Sequence, residues 1–425
     1  MRNRKRPIQR GARLVVVGAG FARASLIRNL PQALRRPGET LLIDHAEAYT
    51  FAPLIHEVAV GRLHPDSVRS PIAPIARDRC TFLQTDVTGV DLEDRALETS
   101  SGRIGYEYLA LAAGSSAARP PEALAQSFRP FGTLDDALRL RGTLNEAWSS
   151  ALDRGRAGTT SGTLTAAIVG GGATGVELAS EISVLFDYLK RRSSRAPAVR
   201  TRVVLLEATD RLLGWLNPYF HEVAMDQLPR LGVEVRLNTP VRSGSGEGVQ
   251  AGDEWLLAQT RVWTTGIKAS PLTARLPGQK DAAGRVTVDE HLTVPEHPEV
   301  YVLGDSSAYE DPRHGSLFPT ASLAVQQGPW VARDLGRRLG GSRRRPPFDF
   351  FNRGYVVGLG PESAIAETLG ARFSGPSAQA LYRSILLYYL KSRRGRILTG
   401  ADWAMERTIG RVGFGTREGQ GLAAG

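Results

Sequence analysis

Two glycine-rich loops carry the residue types needed to hold a dinucleotide. The first is Gly18-Ala19-Gly20-Phe21-Ala22-Arg23, entered by the apolar run Leu14-Val15-Val16-Val17. The second is Gly170-Gly171-Gly172-Ala173-Thr174-Gly175, entered by Ala166-Ala167-Ile168-Val169 and followed by Val176-Glu177-Leu178-Ala179. In each, a buried parallel strand would end in glycines that let the backbone turn tightly and approach a pyrophosphate. The N-terminus of the next helix would then offer unpaired N–H groups and its positive dipole end to that anion. A second strand in each unit ends in an acid able to accept hydrogen bonds from ribose hydroxyls: Leu41-Leu42-Ile43 at Asp44, and Val203-Val204-Leu205-Leu206 at Glu207. One such loop implies one bound dinucleotide. Two imply two cofactors, a design suited to passing electrons between them.

The loops are not equivalent. The second has all three glycines. In the first, Arg23 stands at the third glycine position, where a small residue normally lets the helix pack on the strand. An arginine there is expected to point outward or to push the helix away.

Composition sets limits on the chemistry. The 425 residues suffice for two or three domains, and 42% hydrophobic with 23% charged residues reads as globular. The single cysteine, Cys80, excludes an intramolecular disulfide, a cysteine-ligated zinc site and a redox-active cysteine pair within the chain. No metal is required by any motif. No run of eighteen apolar residues appears, so no transmembrane helix is expected. The N-terminus Met1-Arg2-Asn3-Arg4-Lys5-Arg6 is basic but lacks the apolar core of a signal peptide, which predicts a cytoplasmic protein. A net charge of +11 is compatible with anionic lipid or nucleic acid, or with a generally basic surface. Charge alone names no partner, and no nucleic-acid partner is expected.

These features predict an α/β protein with two Rossmann-like dinucleotide-binding domains, the second inserted in the first. Residues 1–11 form a basic tail, 12–133 with 275–343 the discontinuous first domain, and 134–274 the second domain with its linker helix. The runs Leu109-Ala110-Leu111-Ala112-Ala113-Gly114 and Arg261-Val262-Trp263-Thr264-Thr265-Gly266 read as strands ending in glycine turns. Val300-Tyr301-Val302-Leu303-Gly304-Asp305 is expected to return the chain to the first domain. Residues 344–425 form a C-terminal helical region: an apolar stretch Leu381–Leu390, then Lys391, Arg393, Arg394 and Arg396, then a helix placing Leu398, Ala401, Met405 and Ile409 on one face. Apolar surface beside clustered cations suits an interfacial, membrane-lying segment. A packing helix or a homodimer contact remains the alternative.

In combination these motifs resemble the type II NADH dehydrogenases, the single-subunit NADH:quinone oxidoreductases, over nearly the whole chain. The second loop is similar to the family's, as are Tyr49-Thr50-Phe51-Ala52-Pro53-Leu54-Ile55-His56-Glu57-Val58, Trp263-Thr264-Thr265-Gly266-Ile267-Lys268-Ala269-Ser270 and Val302-Leu303-Gly304-Asp305. The resemblance implies FAD in the first fold, NADH in the second, and C-terminal helices resting on the inner face of the cell membrane. It places Gly18, Gly20, Asp44, Gly114 and Asp305 around FAD, and Gly170, Gly172, Gly175, Glu207 and Gly266 around NADH. It gives Glu177 and Gln326 catalytic positions, with Ser322, Gln326 and Gln327 toward the quinone. The negative charge of Glu207 favours NADH over NADPH, while nearby Arg211 keeps NADPH open. Two departures stand out: Ser322 replaces the first glutamine of the family's quinone motif, and Ala113 occupies the middle of Ala112-Ala113-Gly114, where threonine is usual. The loss of the first glutamine leaves open a soluble NADH-dependent flavoprotein reductase with another acceptor, and Arg23 in the first loop leaves open a non-catalytic NADH-binding protein.

Overall fold

The structure, a computed structural model, describes residues 8–18, 20–156, 163–193, 199–390 and 392–409. The basic N-terminal hexapeptide, Ala19 and Lys391 lie outside the described residues, as does the side chain of Ile409. Two compact units emerge. One comprises Met1–Thr50, Ser70–Ser116 and Ile267–Asn352; the other comprises Phe51–Arg69, Ala117–Gly266 and Arg353–Gly425.

The first unit is built on a mostly parallel sheet. Its strands lie in the order Thr293–Val294, His297–Val302, Gly102–Leu111, Ile8–Val17, Thr40–Asp44, Thr81–Gln84. Leu14, Val15, Val16 and Val17 are all buried, as expected of a parallel strand covered on both faces. Register sets Val17 beside both Ile43 and Leu111, and Val302 beside Leu111. The carboxyl ends of four strands therefore reach the same edge, bringing Gly18, Asp44, Gly114 and Asp305 to it. Strand order reverses about Ile8–Val17, with Thr40–Asp44 added on one side and Gly102–Leu111 on the other, the switch point at which open α/β sheets bind ligands. The strand His297–Val302 does bring the chain back to the first sheet.

Arg23 departs from its expectation. It is 0% exposed, inside the fold rather than pointing away from it. Its helix, Phe21–Asn29, packs against the helix Ala321–Leu339 with little between the backbones: a Cβ on Gly328 would lie 2.2 Å from Ser25 Oγ and 2.5 Å from the Ala22 carbonyl oxygen. Small residues on this side allow close helix–helix approach, while the Arg23 guanidinium lies among Tyr49, Asp44 and Cys80. Burial depresses the Arg23 pKa, and the charge of Asp44 opposes that shift.

The second unit contains an all-parallel sheet in the order Arg129–Pro130, Thr260–Trp263, Thr163–Val169, Arg200–Leu206, Val233–Arg236. From Val169 the chain turns at Gly170 into the helix Ala173–Arg192, which buries Val176, Leu178, Ala179, Ile182, Leu185, Phe186 and Leu189. The linker helix spans Leu134–Arg156.

The C-terminal segment clusters with this unit instead of standing apart. It forms an antiparallel sheet, Tyr355–Gly358, Ala364–Thr368 and Ala371–Ser374, followed by helices Gly375–Tyr389 and Arg393–Ile409. Its last helix turns Gly395, Thr399 and Trp403 inward, at i, i+4 and i+8, while Leu398 and Ala401 are half-buried. Tyr388, Ile397 and Met405 remain exposed. Among the described residues, no helix is long and apolar enough to cross a membrane.

Candidate functional site

In the first unit, Gly18 has φ +102°, and a Cβ there would lie 2.3 Å from the Ala112 carbonyl oxygen. Only glycine can make this corner without displacing backbone. Gly20 caps the helix Phe21–Asn29, and no atom lies within 4 Å of where its Cβ would project. A tight corner followed by open space over a helix N-terminus fits a pyrophosphate. Asp44 is buried, and its Oδ1 accepts from the Ala46 amide at 2.8 Å.

Asp305 follows Gly304 at the end of His297–Val302. Burial raises its carboxyl pKa, while a 2.7 Å hydrogen bond from Ser115 Oγ and the positive charge of Arg285 pull it back. The Gly114 carbonyl oxygen accepts from Ser306 Oγ at 2.8 Å and from the Ser270 amide at 3.1 Å, locking the turn beside it.

The residues expected at a quinone separate into two roles. Gln327 is fully buried: its Oε1 accepts from the Gly304 amide at 2.6 Å and its Nε2 donates to Ser307 Oγ at 3.1 Å. Both ends of this amide serve the Gly304–Asp305 turn, so the expected quinone contact is replaced by support of the turn. Gln326 and Ser322 are half-buried one helical turn apart. Gln326 Nε2 donates to the Phe351 carbonyl at 3.1 Å, and its Oε1 accepts from the Phe351 amide at 3.0 Å. This reciprocal pair fixes the chain at Phe351, whose side chain is exposed.

In the second unit, Gly170 has φ +114° and Gly172 projects into open space. A Cβ on Gly175 would lie 1.9 Å from the Gly170 carbonyl oxygen, so the third glycine is what lets the helix sit on the turn. Glu207 Oε2 accepts from the Gly171 amide at 2.6 Å, and Oε1 accepts from the Thr209 amide at 2.8 Å. The carboxylate is thus aimed from both sides. Thr264 Oγ1 donates to the Val169 carbonyl at 2.8 Å, and Gly266 follows with φ +71°.

Glu177, one turn into the helix Ala173–Arg192, is nearly buried. Its Oε1 accepts from the Gly358 amide at 3.0 Å and from Tyr382 Oη at 3.1 Å, and its Oε2 lies 3.7 Å from His56 Nδ1. Burial raises the Glu177 pKa, while His56 and the two donors moderate the rise. Tyr382 and His56 were not singled out from sequence. His56 sits in a motif read only for its resemblance, and nothing local marks Tyr382. Beside them, Arg62 pairs with Glu181 and lies 3.6 Å from Glu57, which accepts from Trp403 Nε1 at 2.7 Å. His56, Glu57 and Glu181 bring donor atoms within 4.8 Å of one another, but the Arg62 guanidinium already supplies the positive charge a metal would.

A family model described as pyridine nucleotide-disulphide oxidoreductase matches residues 12–328. The chain belongs to that family. With Cys80 as its single cysteine, whose thiol burial pushes up to about 11, it lacks the cysteine pair of an internal disulfide reductase. The type II NADH:quinone oxidoreductase of Mycobacterium tuberculosis is 28% identical over 412 residues, covering 92% of this chain and 87% of that protein. That of Staphylococcus aureus is 25% identical over 397 residues, covering 88% and 94%. These relatives bear out the resemblance drawn from the motifs. Among solved structures, NDH2 of Plasmodium falciparum in complex with NADH matches with a TM-score of 0.82 at 16% identity, covering 96% of this chain and all of that one. The sulfide:quinone oxidoreductase of Aquifex aeolicus matches with a TM-score of 0.73 at 16% identity, covering 94% and 96%. At such identities the likeness establishes the shared fold.

Proposed function

We propose that this chain is an FAD-dependent NADH:quinone oxidoreductase. The observation that carries the reading is the duplicated architecture: two parallel sheets, each with a glycine corner, an open helix N-terminus and an acid on the adjacent strand. Bound FAD would supply the two-electron relay between NADH and the acceptor.

The protein's own part is binding, orientation and proton handling. Gly18 and Gly20 hold the FAD pyrophosphate, Asp44 its ribose, and Gly114 with Asp305 the flavin-proximal region. Gly170, Gly172 and Gly175 seat the NADH pyrophosphate, Glu207 accepts from its ribose, and Gly266 lets the backbone pass close by. NADH and one proton together reduce a quinone to the quinol. Glu177 can hold that proton at its carboxyl oxygens, because burial raises its pKa and Tyr382 and His56 fix its orientation. Ser322 and Gln326 mark the acceptor side of the first unit.

The exposed Tyr388, Ile397 and Met405 beside Arg393, Arg394 and Arg396 support docking on an anionic membrane, on the cytoplasmic face. A homodimer through the same apolar residues is the alternative use. Because Gln326 is engaged with Phe351, a soluble non-quinone acceptor is the second reading of the acceptor side.

The test is the visible spectrum of the purified protein, before and after anaerobic NADH, followed by addition of a quinone. A flavin band that bleaches with NADH and returns with quinone supports the reading. Return only with a soluble oxidant favours the second acceptor. A colourless protein that cannot be reconstituted with FAD overturns both. Flotation with anionic vesicles tests the membrane contact separately.

A further inference from the structure

The second unit contains a cavity that none of the roles above uses. It lies at the amino end of the strand Thr260–Trp263, whereas the glycine loop and Gly266 lie beyond the carboxyl ends of the same sheet. The three steps from Thr260 to Trp263 span roughly 10 Å, which separates Gln259–Arg261 from the glycine loop, while Arg129 and Pro130 of the same wall pair with Val262 and Trp263 on the outer strand. The cavity has a volume of about 370 Å³, within the range of small-molecule pockets. Its wall includes Gln126, Arg129, Leu140, Thr143, Thr260 and Arg261.

Three features define its chemistry. Arg261 is held in place by carbonyl groups: its Nε donates to Ser127 O at 2.7 Å and its Nη1 to Gly246 O at 2.9 Å. Carbonyl oxygens orient a guanidinium without cancelling its charge. Arg129 adds a second cation at the same wall, and its like charge joins burial in lowering the Arg261 pKa. The acid in the adjoining hollow, Asp136, is already engaged by Thr133 and by Arg139 at 2.7 Å. Thr260 completes the wall, with its Oγ1 buried beneath the cavity surface. Leu140 and Pro130 give the cavity an apolar side.

We propose that this cavity binds a small phosphate-bearing molecule, its phosphate between Arg129 and Arg261 and its organic part against Leu140 and Pro130. Paired guanidinium groups suit a phosphate's several acceptor oxygens, and a pocket of this size has room for more than the phosphate.

Calorimetric titration of the FAD-loaded protein, saturated with NAD+ so that the glycine loops are filled, provides the test. Orthophosphate and AMP are the probes, and Arg129→Glu is the variant because Arg129 is exposed and belongs to neither glycine loop. Both probes are expected to bind the wild type. Arg129→Glu should weaken them at least tenfold with unchanged thermal stability and unchanged KM for NADH. AMP binding tighter than orthophosphate assigns the site to a phosphorylated metabolite, and equal affinities assign it to free phosphate. Absence of binding, binding unaltered by Arg129→Glu, or binding that disappears once NAD+ is saturating would each overturn the proposal.

Discussion

Tyr382 Oη donates a 3.1 Å hydrogen bond to Glu177 Oε1, so a C-terminal helix holds an acid on the helix that opens from the second glycine loop. The Gly358 amide reaches the same oxygen at 3.0 Å. The C-terminal segment is therefore a structural part of the acid's environment, and exposed apolar side chains on its helices do not describe its whole role.

The first prediction follows from the raised pKa of Glu177. Folded protein holds the Glu177 proton more firmly than unfolded chain, whose carboxyl titrates near 4.5. Its contribution to stability is complete below that pH and is lost as pH rises through the folded value. Thermal unfolding of wild type and Glu177→Gln should diverge in the variant's favour as pH rises above 4.5. Tyr382→Phe removes a donor to the carboxylate, so it should lower stability most at neutral and alkaline pH. Asp305 is also raised, but it is present in all three proteins and drops out of the differences. Parallel curves for wild type and Glu177→Gln would show that Glu177 carries no such linkage.

Two glycines of one loop should respond differently to alanine. Gly172 faces open space, whereas a Cβ on Gly175 meets the Gly170 carbonyl at 1.9 Å. Gly172→Ala should unfold like wild type yet raise the KM for NADH, because the methyl group occupies the space meant for the pyrophosphate. Gly175→Ala should lose about 1–3 kcal/mol of stability from overpacking as well. Urea unfolding and NADH kinetics on both variants check this, and equal stability of the two would contradict the packing role of Gly175.

The loops, their strands and the acids Asp44 and Glu207 were legible in the sequence because each depends on local pattern: an apolar run, a glycine corner, an acid one strand on. The return of His297–Val302 to the first sheet was legible for the same reason. Arg23 was misread because its surroundings, Tyr49, Asp44 and Cys80, come from segments beyond its own loop. Gln327 was misread because one position along a helix separates a buried amide from a half-exposed one. The Glu177 environment could not be read at all from spacing, since His56, Gly358 and Tyr382 converge from three distant segments.

Asp305 should be felt in cofactor retention. Its side chain is half-buried, oriented by Ser115, and placed at the carboxyl edge of the first sheet. Asp305→Asn keeps the shape and removes the charge. A hydrogen bond to a charged group contributes about 1.5–3 kcal/mol, so FAD affinity should fall by roughly one to two orders of magnitude. The ratio of flavin to protein absorbance after gel filtration reports it. Undiminished retention would remove Asp305 from the flavin site.

Glu207 should decide between the two nicotinamide cofactors. Its Oε2 is fixed by the Gly171 amide and its Oε1 by Thr209, so the charge cannot swing away from an approaching 2′-phosphate. Juxtaposed like charges cost several kcal/mol, and removing one should lower the ratio of kcat/KM for NADH over NADPH by roughly tenfold or more. Glu207→Gln preserves the acceptor for Gly171 while cancelling the charge. Arg211, half-exposed and 3.6 Å from Asp210, is the nearby cation able to receive the phosphate once Glu207 is neutral. Adding Arg211→Ala to Glu207→Gln should therefore take back most of the gain toward NADPH. If Glu207→Gln leaves the ratio unchanged, selectivity resides elsewhere in the loop and the carboxylate serves only to brace Gly171 and Thr209.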